Sequence, residues 1–328
     1  MNQPAPLPPS ITVDTVWLPK QNSTLAESID FGWDVVMVVS IMFFVLLMAM
    51  MIYFLVRYHR RSEFDVTSDR DHNARLEWAW TLIPLAICVG LFFVGFKGFL
   101  YAAVPPAESY EIHVQAQKWS WTFTYPNGVV TNELTVPAGR PVKMIMSSTD
   151  VLHSFYIPEF RVKRDVIPGL YTAVWFQAIE PAESTLFCTE YCGGGGDGQQ
   201  GSGHSAMWTR VHVLSDSDFD KWMQSQEDDP NAPPAEKGKK LFVTRGCAGC
   251  HSVDGARGNG PTLKGVFGKT EQMSTGEAVP VDENYLHESI LQSQKRLVAG
   301  FGGIMPAFEG QLSEKEVTYL VEYIKTLK

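Results

Sequence analysis

The chain has 328 residues and a formal net charge of -9, unevenly spread: from Ala235 onward 12 basic and 11 acidic side chains nearly cancel, leaving 15 basic and 25 acidic before it. That balance argues against nucleic acid as a partner. The length calls for two or three domains, and a hydrophobic fraction of 45% can feed membrane spans as well as cores.

Residues 1 to 30 are Pro-rich and polar, without the basic start and short apolar core of a secretory signal in the sequence as it stands. From Val35 to Val56 no charged residue occurs, and a second uncharged run goes from Trp78 to Phe96. Each approaches the roughly 20 residues that cross a bilayer as a helix. Pro84 is tolerable there as a kink, and Tyr53, Trp78 and Trp80 suit the interfaces. Arg57, Arg60, Arg61, Arg70 and Arg75 lie between the runs, whereas the outer flanks offer mainly Lys20 and Lys97. The short loop is therefore expected in the cytoplasm, with both termini outside. The methionines of the first run (Met37, Met42, Met48, Met50, Met51) read as apolar filler rather than a metal relay, Cys88 as a small apolar residue, and Lys97 as a snorkelling one.

From about Ser109 to Leu214 the pattern changes to short β-branched or alternating runs: Tyr110 to Gln117, Trp119 to Tyr125, Gly128 to Leu134, Val142 to Ser147, Ala173 to Ala178, Thr185 to Cys188 and Met207 to Leu214. This reads as an antiparallel sandwich or barrel. The run between Thr185 and Leu214 carries Cys188, Cys192, His204 and Met207, and His153 follows a predicted strand upstream. Two thiols, two imidazoles and a thioether suit copper, with Met as a weak axial ligand, and the thioether disfavours zinc. A second cysteine four residues from the first allows both thiolates to bridge two copper ions. A Cys188 to Cys192 disulfide is the ordinary alternative for an exported domain. His113 and His212 lie inside predicted strands and read as structural.

After Leu214 the chain becomes Asp/Ser-rich and runs through Pro230, Pro233 and Pro234, as a semi-rigid linker does. A helix is expected over Glu236 to Thr244, stopping at Gly246. The sequence Cys247-Ala248-Gly249-Cys250-His251 then has the C-x-x-C-H form that attaches a c-type haem through two thioethers, with the histidine as iron ligand. A redox disulfide or half a zinc site is the alternative for a bare C-x-x-C. A last helix, Ser313 to Leu327, carries Val317, Leu320, Val321, Ile324 and Leu327 at helical spacing.

Several stretches, in order, resemble subunit II of the haem-copper cytochrome c oxidases: Leu76-Glu77-Trp78-Ala79-Trp80-Thr81-Leu82-Ile83-Pro84, Gln117-Lys118-Trp119-Ser120-Trp121-Thr122-Phe123, Asp150-Val151-Leu152-His153-Ser154-Phe155, Lys163-Arg164-Asp165-Val166-Ile167-Pro168-Gly169 and the Cys188 to Met207 loop. Gly260-Pro261-Thr262-Leu263 and Met305-Pro306-Ala307-Phe308 resemble the small cytochromes c. The resemblance implies a membrane protein of several domains: an extracytoplasmic segment over 1–30, a two-helix transmembrane hairpin over 31–104, a cupredoxin-like all-β Greek-key domain over 105–215, a linker over 216–234, and an all-α class I cytochrome c domain over 235–328. It implies that Cys188 and Cys192 bridge the two ions of copper A, that His153 and His204 bind one each, that Met207 gives its sulfur and that Glu190 ligates through its backbone carbonyl. The Glu190 carboxylate is implied to meet a Mg or Mn ion shared with subunit I, Trp119 to be where electrons reach copper A, and His72 with Glu77 to form the mouth of a proton-uptake channel. A solvated polar loop is the alternative for that pair.

In the haem domain the resemblance implies attachment through Cys247 and Cys250, with His251 and Met305 as axial ligands, Met305 being preferred to Met273 and His287. Gly238 and Phe242 are expected to meet an aromatic such as Tyr319 where the first and last helices cross.

The implied protein is the electron-input subunit of a proton-pumping oxidase in a bacterial inner membrane, both cofactor domains periplasmic. Subunit I and a subunit III are its expected partners, beside membrane lipid, and its donor a cytochrome c or a quinol:cytochrome reductase. No catalytic residue for oxygen chemistry is expected in the chain itself. The alternatives are the same module in a nitric oxide reductase of the copper A type, or a stand-alone membrane-tethered redox carrier or sensor; a quinol oxidase subunit needs neither the thiols nor the haem. One departure stands out. The family's usual C-x3-C-x3-H-x2-M has three residues before the histidine, whereas eleven, mostly glycine, separate Cys192 from His204. A flexible loop lengthens at small entropic cost, so the ligand set is expected to survive with the insertion bulging outward.

Overall fold

The two apolar runs form long helices, α1 (Thr24–Arg57) and α2 (Ala74–Ala103), whose large side chains stand exposed along most of their length. Such a surface suits lipid and not water. The computed structural model describes residues 17–66, 68–194, 203–226 and 232–328. Most of the Pro-rich N-terminal segment, the tip of the glycine-rich insertion and the middle of the linker lie outside the described residues.

Ten strands then build two sheets: β1 (Tyr110–Gln117), β2 (Ser120–Thr124), β3 (Val130–Thr131), β4 (Leu134–Pro137), β5 (Pro141–Ser148), β6 (His153–Ile157), β7 (Val162–Val166), β8 (Thr172–Gln177), β9 (Ala182–Cys188) and β10 (Trp208–Leu214). One sheet has the order β3-β2-β1-β5-β8 and the other β4-β10-β9-β6-β7. The sandwich is not wholly antiparallel, as the alternation alone suggested. The β1·β5 and β10·β4 pairs are parallel, because the chain crosses between the sheets before returning beside an earlier strand.

The core between the sheets is apolar and aromatic, with Trp121, Phe123, Phe155, Phe160 and Phe176 all buried. Tyr125 closes one end: its hydroxyl donates to the Thr135 carbonyl at 2.9 Å and accepts from the Thr135 amide at the same distance. Burial raises its pKa well above the tyrosine range, so it stays a neutral donor.

The Asp/Ser-rich stretch expected as linker begins with a helix, α3 (Asp216–Ser225). Ser215 caps it by accepting from the Asp218 amide, and Phe219 and Trp222 pack on Tyr125 with ring centroids 6.5 and 5.3 Å away.

In the C-terminal domain α4 (Pro234–Thr244) crosses α6 (Glu314–Thr326), with α5 (Glu283–Leu291) and the two-stranded β11 (Thr270–Gln272) and β12 (Ala278–Pro280) between them. A Cβ on Gly238 would stand 1.8 Å from the Tyr319 carbonyl oxygen, so the crossing needs glycine there. The ring that meets Phe242 is Tyr323, at 5.5 Å between centroids.

The sandwich is fixed to the start of α1. Leu25 belongs to its core, and Ser23 donates to the Phe160 carbonyl at 2.8 Å. Arg161 has a left-handed backbone (φ 56°), a conformation that costs a non-glycine residue about 1–2 kcal/mol. Its guanidinium compensates by donating to both carboxylate oxygens of Asp30 at 2.7 and 2.8 Å and to the Pro158 and Pro19 carbonyls.

Removing one partner of a buried, bidentate pair strands the other, at a cost of about 3–5 kcal/mol. Arg161→Ala should therefore lower the thermal midpoint of the purified protein sharply. Asp30 and Arg161 exchanged for an apolar pair of matching size should restore most of the loss, as read by the melting of the near-UV circular dichroism signal.

Candidate functional site

Two clusters of ligand-type side chains lie in the described residues, one at the end of a β-sheet and one in a cavity of the helical domain.

The first is built by β6, β9 and the β9–β10 connection. Pairing of Phe155 with Cys188 sets the start of β6 beside the end of β9, so His153 and Cys188 face the same end of the sheet. The Cys188 and Cys192 sulfurs are 3.8 Å apart. That is far beyond the roughly 2.05 Å of a disulfide. His153 Nδ1 lies 3.9 Å from Cys188 Sγ, His204 Nδ1 3.6 Å from Cys192 Sγ, and Met207 Sδ 3.8 Å from Cys192 Sγ. The Glu190 carbonyl oxygen is 3.3 Å from Cys188 Sγ. All six sequence candidates of this cluster converge.

The long insertion does not displace His204. Gly194 bridges Gly203 in antiparallel fashion and the His204 amide donates to the Gly193 carbonyl at 2.9 Å, closing a neck beneath the inserted residues. Gly193 and Gly203 have φ of 105° and 92°, which only glycine adopts freely.

The hydrogen bond between the thiols splits their acidities. Cys188, accepting from Cys192 and next to His153, is driven well below the usual thiol value, although burial opposes this. Cys192 is pushed far up by the same bond and by burial. Sequence reasoning missed Asp150, although it stands three residues before His153. Its Oδ1 lies 2.9 Å from His153 Nε2, and it accepts from the Lys118 and Val151 amides at 2.7 and 2.6 Å. Burial pushes the His153 imidazole down, but Asp150 and Cys188 outweigh it and hold its pKa above the usual value. Asp150 thus fixes the ring so that Nδ1 is turned to the sulfurs, the usual service of a carboxylate to a metal-binding histidine.

Two thiols, two imidazoles, a thioether and a carbonyl oxygen form a soft to borderline donor set that fits copper and excludes magnesium or calcium. Trp119 donates its indole N–H to the Cys192 carbonyl at 3.3 Å.

The second cluster lines a largely apolar cavity, with Cys247, Cys250, His251, Leu263, Phe301 and Met305 in its wall. His251 Nδ1 is 2.8 Å from the Pro261 carbonyl. As a donor there it leaves Nε2 free to bind iron. Burial lowers its pKa, the bond to Pro261 offsetting only part, so the ring is neutral as a ligand must be. A Cβ on Gly260 would come within 2.6 to 3.0 Å of the ring, so glycine makes room for it. Ser293 and Gln294 hold the Met305 carbonyl at 2.7 and 2.8 Å. Met273 is buried against Tyr285 and His287 pairs with Glu314 at the surface, and neither lines the cavity. Two thiols, a neutral imidazole and a thioether around an apolar cavity fit a covalent haem.

His72 and Glu77 meet at 2.7 Å beside the start of α2, both exposed, and Glu77 also accepts from the Asn73 amide at 3.0 Å. His113 is exposed on β1, and His212 lies between Glu133 and Glu183 at 3.0 and 2.8 Å. Neither belongs to the copper cluster.

Residues 12–99 match the family described as cytochrome C oxidase subunit II, transmembrane domain, residues 127–213 the periplasmic domain of the same subunit, and residues 235–328 cytochrome c. The cytochrome c oxidase subunit 2 of Alkalihalophilus pseudofirmus is 28% identical over 90% of this chain and 86% of its own length. That of Thermostichus vulcanus is 28% identical over 66% of this chain and 80% of its own. Among solved structures, the periplasmic domain of subunit II of cytochrome oxidase of Bradyrhizobium japonicum is 26% identical, covering 38% of this chain and 96% of that one, with a TM-score of 0.34.

Burial lowers the pKa of His212, but the hydrogen bonds its ring donates to Glu183 and Glu133 raise it by more, to a net value above the usual one. A raised folded pKa gives stability that is complete below the unfolded value of about 6.5 and is lost as pH climbs through the folded value. Thermal midpoints taken from about pH 6 to about pH 9 should therefore fall more steeply in the unaltered protein than in His212→Gln.

Proposed function

From a chain that belongs to the cytochrome c oxidase subunit II family and carries a cytochrome c domain behind it, we propose the electron-input subunit of a proton-pumping oxidase, receiving electrons in its haem domain and handing them through copper A to subunit I. The observation that carries this reading is the pair of separate ligand clusters in one chain, each complete and each suited to a one-electron centre. When bound, a haem and a copper pair each take up one electron and release it again.

The residues around them do the rest. Cys188 and Cys192 supply two anionic sulfurs with little room to move, which keeps geometry constant while charge changes. Asp150 orients His153, and the Gly193 to Gly203 neck orients His204. Met207 and the Glu190 carbonyl complete the set as weak ligands. Cys247 and Cys250 anchor the haem, Pro261 selects the tautomer of His251, and Ser293 with Gln294 steadies the Met305 backbone. A Met/His pair keeps the potential high, which suits passage to a high-potential acceptor. Trp119, bonded to the Cys192 carbonyl, is the side chain through which electrons reach copper.

The Glu190 carboxylate is assigned to a Mg or Mn ion at the boundary with subunit I, and His72 with Glu77 to the cytoplasmic mouth of a proton path. The Arg-rich loop between α1 and α2 then faces the cytoplasm of a bacterial inner membrane and both cofactor domains face the periplasm, in agreement with the positive-inside bias. Subunits I and III are its assigned neighbours in the bilayer, and its donor is a cytochrome c or a quinol:cytochrome reductase.

The purified protein should show a mixed-valence two-copper electron paramagnetic resonance signal and the absorption of a low-spin c-type haem. Cys192→Ser should abolish the first and spare the second, while Met305→Ala should spare the first and lower the haem midpoint potential. A mononuclear copper signal in the unaltered protein, or copper content unchanged by Cys192→Ser, overturns the binuclear assignment.

A further inference from the structure

The cavity of the C-terminal domain is not closed by that domain alone. Gln117 and Lys118, from the turn between β1 and β2 of the sandwich, form part of its wall. The next residue, Trp119, donates to the Cys192 carbonyl. Three consecutive residues thus run from the wall of one cofactor cavity to a ligand of the other site. Gln117 is buried, and its side-chain amide donates to the Arg245 carbonyl at 3.5 Å. Gly246, which follows Arg245 and precedes Cys247, lies so close to the sandwich that a Cβ would meet Ser120 Oγ at 2.8 Å and Gln117 Nε2 at 3.5 Å. A further bond joins Gln115 to Gln311 at 3.4 Å. The Gln117 and Ser120 contacts fall on the residues directly before the haem-attachment motif.

We propose that Gln117 and Ser120 are positioning residues for electron transfer within the chain: together they seat the Arg245-Gly246 turn on the copper domain and so fix the haem cavity against the Lys118-Trp119 segment. The inference rests on the reading given under Proposed function. In the step it serves, one electron leaves the centre held by Cys247, Cys250 and His251, which is oxidised, and arrives at the centre held by Cys188 and Cys192, which is reduced; no bond is made or broken. The seat has two separable requirements. Gln117 must donate, since the Arg245 carbonyl can only accept. Ser120 must be small, since even a Cβ on Gly246 would stand 2.8 Å from its hydroxyl.

Each requirement has its own variant in the full-length, cofactor-loaded oxidase. Gln117→Met keeps the length and removes the donor without adding charge to the cavity wall, and Ser120→Phe fills the space beside Gly246. Ser120→Phe, whose site does not line the cavity, should leave the haem and copper spectra, the two midpoint potentials and the reduction of the haem by an added donor unchanged. Both variants should slow the laser-induced transfer from haem to copper by about tenfold or more, up to the roughly hundredfold that an ångström of misplacement costs. Both should also raise hydrogen exchange of the amides at Arg245 and Gly246, a readout independent of turnover. Gln117→Asn, a shorter donor, should restore part of the rate. Transfer within twofold of normal in both variants, with exchange unchanged, overturns the seat while leaving the proposed function intact. Absence of haem-to-copper transfer, or of the two-copper signal, in the unaltered protein overturns both.

Discussion

Two thiols held 3.8 Å apart at the buried end of a sheet set the terms for the rest of the structure. Buried anions repel strongly at such a distance, and without compensating positive charge the pair keeps a proton between its sulfurs, which is why one thiol is acidified and the other suppressed. A cluster of this kind is stable only if the backbone leaves the sulfurs no route apart. The chain supplies that restraint from its own hydrogen bonds: the Cys188 amide donates to the Met207 carbonyl and the Met207 amide to the His204 carbonyl, at 3.0 and 3.1 Å. Five of the six candidate ligands therefore sit in a loop that is tied at both ends. Residues added beyond the Gly194 to Gly203 bridge raise the closure entropy only logarithmically.

The restraint extends to the membrane because the sandwich is built around the first turn of α1 and not merely tethered to it. Leu25 is part of the sandwich core, Arg161 grips Asp30, and Tyr101 of α2 meets Trp175 edge-on at 5.5 Å. An ion pair that is buried and bidentate contributes less to net stability than to choosing one orientation, since any other placement leaves charges unpaired. The copper cluster consequently has a fixed attitude toward the helices and whatever packs beside them.

Much of this was legible in the sequence where a local signal carried it. The uncharged runs gave the two helices, alternating β-branched residues gave β1, β5 and β8, and C-x-x-C-H gave the haem loop. Elements governed by tertiary contacts were not legible in the same way. Strand β6 is buried on both faces and so lacks alternation, while β7 holds Lys163, Arg164 and Asp165, which argue against a strand until Ser154 and Asp165 are seen to pair across the sheet at 2.7 Å. Helix α3 was hidden by its polar composition, although Ser215 with Asp218 is a capping signal and Phe219, Trp222 and Met223 form a stripe at helical spacing. At the site, residue types and the family resemblance together pointed to the residues that the fold gathers into both clusters. Asp150 and Gln117 could not be found that way, because their roles depend on which backbone groups the fold brings to them.

The seat between the two outer domains has few direct contacts, and its bonds at 3.4 and 3.5 Å are long ones. Between free proteins, bonds of that length would hold little by themselves. Here the partners are joined by five residues, Glu227 to Asn231, between the end of α3 and Ala232. Even fully extended, the six steps from Gln226 to Ala232 reach only about 20 Å. A tether of that length holds the local concentration of one domain near the other in the millimolar range or above, so a weak seat is populated without any strong contact. The near balance of 12 basic and 11 acidic side chains from Ala235 onward follows from the same arrangement. Under the proposed electron route, a domain already tethered to its acceptor needs no charged face to find it, and long-range attraction would only favour wrong orientations over the one in which Gln117 meets Arg245.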